Sequence, residues 1–281
     1  MAFIALTSAK GSPGVTTTAL ALATCWQGEG QVLLVEADPA GGDVLPGYFG
    51  GQLVADRGVR QLSLGSRRAP LEQELWSQVY PLQDGNRALL VPGIVDPVEA
   101  AAIAWDPLAE HLYGLSVDTG LDVLVDCGRL GNVVDPAAMR RRADLVVLVV
   151  RPTLAGVNVA KFRGRQLMAD LRDRGAGPEA LCVVLCGPGP YTAGEIGGAL
   201  GIPVAGQVAD DAPSAAVLSS GAVARRSYPH SALVRSAQSL AVTLKSSADQ
   251  RRAMLTVARR DGQRPGQAPF PMGETGASYA R

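Results

Sequence analysis

Four stretches of this chain are apolar with no alternation: QVLLVEAD (31–38), LDVLVDCG (121–128), ADLVVLVVRP (143–152) and ALCVVLCGPG (180–189). A strand with one face in water alternates apolar and polar side chains. A strand covered on both faces does not. These runs therefore predict buried parallel strands. FIALT (3–7), ALLVPG (88–93) and IPVAGQV (202–208) read as further strands. Helical periodicity falls between most of them, at about 16–28, 97–115, 155–174, 191–200, 212–221 and 231–258. The alternation predicts an α/β fold, a doubly wound, mostly parallel sheet flanked by helices. Ligands of such sheets bind at the C-terminal ends of the strands.

Composition supports that architecture. Hydrophobic residues make up 47% of the 281 and aromatics only 5%, so the core is built of aliphatics, as helix-on-sheet packing requires. Lys plus Arg equals Asp plus Glu, so net charge points to no nucleic acid or acidic partner. Cys25, Cys127, Cys182 and Cys186 each lie in an apolar run and form no CxxC pair, which predicts reduced core thiols and a cytoplasmic protein. No basic segment precedes the N-terminal apolar stretch, and no apolar run approaches the roughly 18 residues of a spanning helix. Residues 44–87 read as loops with one or two helices at the edge of the domain. Residues 262–281, rich in Gly, Pro and Ala, read as a disordered tail. We expect a main domain over 1–245 and a basic helical extension plus tail over 246–281.

The first strand runs into KGSPGVTTT, Lys10 to Thr18. A strand, a glycine turn and a helix start converge backbone N–H groups on one point, and the helix dipole adds partial positive charge there. Gly11 and Gly14 permit the backbone angles of an anion nest. The Thr16 hydroxyl is placed to meet Mg2+. The phosphate-loop pattern GxxxxGK[ST] nevertheless fails over Ala9–Thr16, because its first glycine and its lysine are both missing.

Five blocks together resemble the MinD/ParA family of P-loop ATPases. KGSPGVT is similar to that family's deviant loop KGGxGKT, with Lys10 in the place of the signature lysine and Val15 in the place of the loop lysine. VLLVEADPAGGD resembles the strand ending in DxDPQGN, LDVLVDCGRLG its Walker B strand, RADLVVLVVRPTLAGV the strand ending in a Pro-Thr pair, and GIPVAGQVADDAPSAAVLSSGAVA its closing block. The order and spacing agree over roughly residues 1–240. The resemblance implies a P-loop NTPase fold that binds ATP and Mg2+ between the subunits of a homodimer. It implies nucleotide contact at Lys10, Gly11, Ser12, Gly14, Val15, Thr16 and Thr17, with Lys10 reaching the partner's phosphates. It further implies metal contact at Thr16, Asp38 and Asp126, and a water-orienting role for Asp38. The chemistry is phosphoryl transfer to water.

Three departures weigh on that implication. Val15 cannot donate to phosphate, and loss of one comparable donor costs about 3 kcal/mol. Glu36 replaces the first acid of the second block. Leu185-Cys186-Gly187-Pro188 carries no amide where the family often reads adenine. Asp38 and Asp126 also have a plain alternative as loop caps at strand ends, and Lys10 as a solvated cation. Two functions follow. One is a dimeric scaffold that positions a cellular assembly by recruiting an unidentified protein partner, with weak or absent ATP hydrolysis. The other is a slow ATPase of the partitioning type. The arginine clusters at 140–142, 225–226, 251–252 and 259–260 read as solvated helix faces, with non-specific DNA contact as the alternative. The basic segment 246–260 lacks the bulky apolar face of a membrane-docking helix. Trp105 and His111 are assigned no role in chemistry.

Overall fold

The strand runs of the sequence assemble into one sheet of eight strands in the order β3-β4-β2-β5-β1-β6-β7-β8. The computed structural model describes residues 1–260 apart from Ser12, Glu29, 67–70 and Asp84, without the side chains of 256–260. In chain order the elements are β1 (Phe3–Ser8), α1 (Val15–Thr24), β2 (Val32–Glu36), α2 (Val59–Gly65), α3 (Leu71–Leu75), β3 (Tyr80–Pro81) and β4 (Ala88–Val91). Then follow α4 (Trp105–Thr119), β5 (Asp122–Arg129), α5 (Ala137–Arg142), β6 (Leu145–Val150), α6 (Leu154–Arg174) and β7 (Leu181–Cys186). The chain continues through α7 (Ala193–Leu200), β8 (Val204–Val208), α8 (Ala212–Ser220) and α9 (Ala232–Arg260). All strand pairs are parallel except the short edge pair β3–β4.

The uninterrupted apolar runs are explained by cover on both faces. Phe3, Ala5, Leu33, Val35, Val123 and Val125 face one apolar cluster, with residues of α2 to α7. Ile4, Leu6, Val32, Leu34, Leu124 and Val147 face the other, with residues of α1, α8 and α9. Each buried aliphatic contributes roughly 1.5–3 kcal/mol relative to exposure, so no strand position can turn polar without loss on one side or the other.

The expected helix over 97–115 is divided. Pro97–Ala102 forms a 3-10 turn capped by the Asp96 side chain, which accepts from the Val98 N–H. The α-helix begins only at Trp105. Pro107 is the reason: it has no N–H to give, and a helix tolerates it in the first turn but not in the interior. Two short elements, α5 and β3, were not anticipated from sequence. The 44–87 segment holds α2, α3 and the edge strand β3.

The arginine runs are not simply solvated faces, which corrects the sequence reading. Arg140 is 2% exposed, and its Nη2 lies 2.7 Å from both Asp135 carboxylate oxygens. Arg141 pairs with Asp170 through Nε and Nη2, and Arg142 pairs with Glu110. Arg252 on α9 donates from Nε to Asp144 Oδ1 at 3.0 Å, while Asp144 Oδ2 accepts the Phe3 N–H at 2.8 Å. Arg251 donates to the Asp144 and Ala176 carbonyls. A buried charge is retained in this way only when it is paired and hydrogen-bonded. Arg225 and Arg226 are exposed as expected, and the side chains of Arg259 and Arg260 lie outside the described residues.

Helix α9 passes unbroken through the boundary expected at 245. Its apolar side, Leu233, Ala237, Leu240, Ala241, Leu244 and Ala248, is buried in the protein core. The tail expected over 262–281 lies outside the described residues. Among the described residues no helix is long and apolar enough to cross a membrane.

Thr153 caps α6 by accepting the Gly156 N–H at 3.2 Å. Thr153→Ala is expected to cost about 1 kcal/mol, seen as a lower urea midpoint at unchanged m-value. An unchanged midpoint would show that the cap contributes nothing.

Candidate functional site

Strand β1 lies in the interior of the sheet between β5 and β6. Its C-terminal end opens into Ala9–Gly14, and α1 starts at Val15. Gly14 is the helix N-cap with φ +96°, and Gly11 has φ +71°, backbone that side chains rarely adopt. Among the described residues no side chain caps α1, and no acid stands in its first turn. The first-turn N–H groups are therefore free to meet an anion, and the helix dipole favours one. Thr16 and Thr17 are half-buried on that turn. Ser12 lies outside the described residues.

Val15 is 7% exposed and belongs to the apolar cluster on the α1 face of the sheet. Its side chain is spent on the core. It offers phosphate nothing beyond its backbone N–H.

The acids meet as the strand order requires. β2 pairs with β5, with Glu36 opposite Asp126, and β5 pairs with β1, with Asp126 opposite Leu6. Thr16 stands close enough to Asp126 for its hydroxyl to hold that carboxyl's pKa down. The Gly128 N–H donates to Asp126 Oδ1 at 2.9 Å. Asp126 is 1% exposed, and burial pushes its pKa up to about 6 against the pull of those two donors, with Asp38 and Asp43 adding repulsion. Asp38 lies directly against Gly128: a Cβ there would fall 2.0 Å from the Asp38 Cγ, so only glycine permits the approach. Asp38 Oδ1 also accepts the Ala40 N–H at 2.8 Å, the loop-capping role that a strand-end aspartate was expected to offer. Its pKa is raised by burial first.

Glu36 has a different task. Its Oε1 accepts the N–H groups of Asp43 and Val44, and its Oε2 accepts that of Gly93. The longer side chain ties two loops to the end of β2. Burial pushes its pKa up to about 7.

Lys10 is exposed and lines a cleft of about 630 Å3 together with Gly11, Pro13, Arg151, Thr153 and Asn158. Asp38 and Asp126 do not line it. The structure thus brings Thr16, Asp38 and Asp126 together and leaves Lys10 on the neighbouring open side. Sequence reasoning missed Arg151. The signal available was its position immediately after a buried strand, at the edge where ligands of such sheets bind.

The residues fit ATP and Mg2+ in part. Among the described residues no group of three His, Cys, Asp or Glu side chains is placed to hold a metal ion. Mg2+ does not require one, since it is commonly held by one or two carboxylates, water and phosphate oxygens. Thr16 and Asp126 are the pair that would hold it. The lysine half of the loop is absent.

No protein-family model matches the sequence, and no curated protein matches it. Solved structures do. A ParA family ATPase from Chlorobium tepidum superposes with a TM-score of 0.68 at 18% identity, over 86% of this chain and 97% of that one. This is the fold of the ParA and MinD ATPases. MinD from Pyrococcus horikoshii, complexed with Mg-ADP, gives 0.65 at 18% identity over 88% and 97%. The Aquifex aeolicus MinC:MinD complex gives 0.65 at 18% identity over 86% and 95%.

Within the ParA/MinD fold, β7 ends beside the loop. Cys186 is half-buried, and its sulfur stands 3.4 Å from where a Cβ on Gly14 would be. The Gln207 amide donates to the Gly187 carbonyl at 2.7 Å. All four cysteines are free thiols, and burial pushes Cys127 and Cys182 up to about 12, as core thiols should be.

Proposed function

We propose that the chain binds ATP with Mg2+ at the α1 loop, pairs as a homodimer around it, and recruits a partner protein as a positioning scaffold with weak or absent hydrolysis. The observation that carries this reading is the uneven state of the loop. Gly14 opens α1 with no side-chain cap among the described residues and Thr16 neighbours Asp126, while Val15 is buried in the core. Backbone N–H groups and a metal suffice to hold phosphates. Hydrolysis also needs charge stabilisation as the γ-phosphoryl group leaves, and one missing donor lowers the rate about 100-fold. The ParA/MinD fold supports the positioning role, the Mg-ADP complex of the Pyrococcus protein supports the ligand, and the MinC:MinD complex supports a protein partner.

A slow ATPase is the second reading. The contact of Asp38 with Gly128, next to Asp126, favours it, because it sets a carboxylate beside the metal pair where an attacking water would be held. Exposed Lys10 would then act on the phosphates of the other subunit.

Calorimetric titration with ATP and Mg2+ tests the shared premise. Binding in the micromolar to millimolar range is expected, and no heat at millimolar nucleotide would remove both readings. Phosphate release separates them. Turnover that disappears in both Lys10→Ala and Asp38→Ala establishes the ATPase. Turnover at background in the unaltered protein, with binding retained, establishes the scaffold.

A further inference from the structure

The cleft beside the loop holds a cation for which the loop pattern does not account. β1 and β6 pair in parallel with Ser8 opposite Val149, so Lys10 and Arg151 stand two residues beyond that pair on adjacent chains. Both side chains are exposed and line the same cleft. Among the described residues neither has a carboxylate partner or a side-chain hydrogen bond. Arg129, another cation close to the loop, is set against Asp38.

The Arg151 charge acts on the Cys186 thiol, and that sulfur packs on Gly14, the last glycine before α1. The chain leaving Arg151 is tightly held. Thr153 caps α6, and a Cβ on Gly156 would stand 2.4 Å from the Arg151 carbonyl oxygen. Thr153, Ala155 and Gly156 in the opening of α6 line the cleft as well, so a helix N-terminus adds positive potential to it. Two unpaired cations and the start of α6 around one opening, beside the Gly11–Pro13 side of the loop, form a surface for a polyanion.

We propose that Arg151 supplies, from the end of β6, the charge-assisted phosphate contact that the loop lacks at Val15, with Lys10 as the second cation and the polyphosphate of a nucleotide as the ligand. Guanidinium binds phosphate oxygens bidentately, so a donor arriving from a neighbouring strand can take the place of a loop ammonium. The assignment rests on the nucleotide reading above, and its test keeps the two apart.

Calorimetry with ATP and Mg2+, and separately with tripolyphosphate and Mg2+, compares the unaltered protein with Arg151→Ala and Arg151→Lys. Arg151→Ala should weaken both ligands about tenfold or more, and Arg151→Lys should recover part of the loss. Melting temperatures without ligand should agree, since Arg151 has no partner to lose. If Arg151→Ala binds both ligands as the unaltered protein does, the assignment is overturned while the nucleotide reading stands. If tripolyphosphate binds through Arg151 but ATP does not bind, the nucleotide reading falls and the polyphosphate contact stands. If neither ligand binds the unaltered protein, both fall.

Discussion

Replacing Val15 by lysine is expected to tighten ATP binding in the presence of Mg2+ by up to about 100-fold, the value of one charge-assisted donor in such a site. The reasoning begins at the backbone. Gly14 already caps α1 with φ +96°, and the helix starts at residue 15 with no side-chain cap among the described residues. A lysine there must turn its ammonium out of the apolar cluster that Val15 fills to reach the phosphates. The cost appears in the free protein. Val15 is buried, and a lysine stem must cover the same apolar surface while its head seeks water. The ligand-free variant should lose about 1–2 kcal/mol, within the ordinary range for a core substitution that relaxes. Saturating nucleotide should return more than that loss, because 100-fold tighter binding adds about 2.7 kcal/mol at fixed ligand. Thermal melts with and without ATP and Mg2+ therefore move in opposite directions relative to the unaltered protein. The gain should be larger when Arg151→Ala is also present, since neighbouring cations serving one phosphate are not additive. Unchanged affinity in both backgrounds would show that the loop is no phosphate cradle.

The fold was legible because its constraint is repeated. Every long apolar run is a strand covered by helices on two sides, and burial on both faces confines its polar residues to the strand ends, where they do not obscure the pattern. The helix α5 was not legible, being six residues that end in three arginines, a composition that reads as solvated surface. Its partner acids were the missing information. Asp170 lies 29 residues from Arg141 and Glu110 lies on α4, well before α5, distances over which sequence carries no pairing signal; the same holds for Asp144 and Arg252 of α9, 108 residues apart. The site divides in the same way. Gly11, Gly14, Thr16, Asp38 and Asp126 were visible because strand ends and loops mark them. The fate of Val15 and the second role of Glu36 depended on what packs around them. Arg151 was hidden by its own neighbours, since Pro152 and Thr153 stand out as motif residues and the cation before them matches none.

Asp126→Asn is expected to stabilise the ligand-free protein at pH 8 while abolishing the stabilisation that ATP and Mg2+ provide. Burial holds the Asp126 carboxyl at about 6, against an ordinary value of 3.8. Between those values the native state binds a proton that the unfolded chain has released, so stability falls as pH rises through the window. The favourable contribution is complete below about pH 4 and lost above about pH 6. A rise of that size corresponds to about 3 kcal/mol of charge burial carried at neutral pH. Glu36, pushed up to about 7, acts with the same sign. Asparagine removes the charge and keeps the Gly128 contact, its carbonyl accepting that N–H. Denaturant titrations from pH 4 to 8 should therefore show a shallower decline in the variant, with the curves converging at the acid end. On the proposed reading Mg2+ would reverse the balance in the unaltered protein, because a divalent cation favours the ionised carboxylate and lowers its pKa. A charge that costs stability in the free protein is then the group that makes metal-bound nucleotide stabilising. Persistence of the ATP and Mg2+ shift in Asp126→Asn would remove Asp126 from the metal site. An unaltered pH slope would show that its buried charge is not what sets the acid–neutral difference.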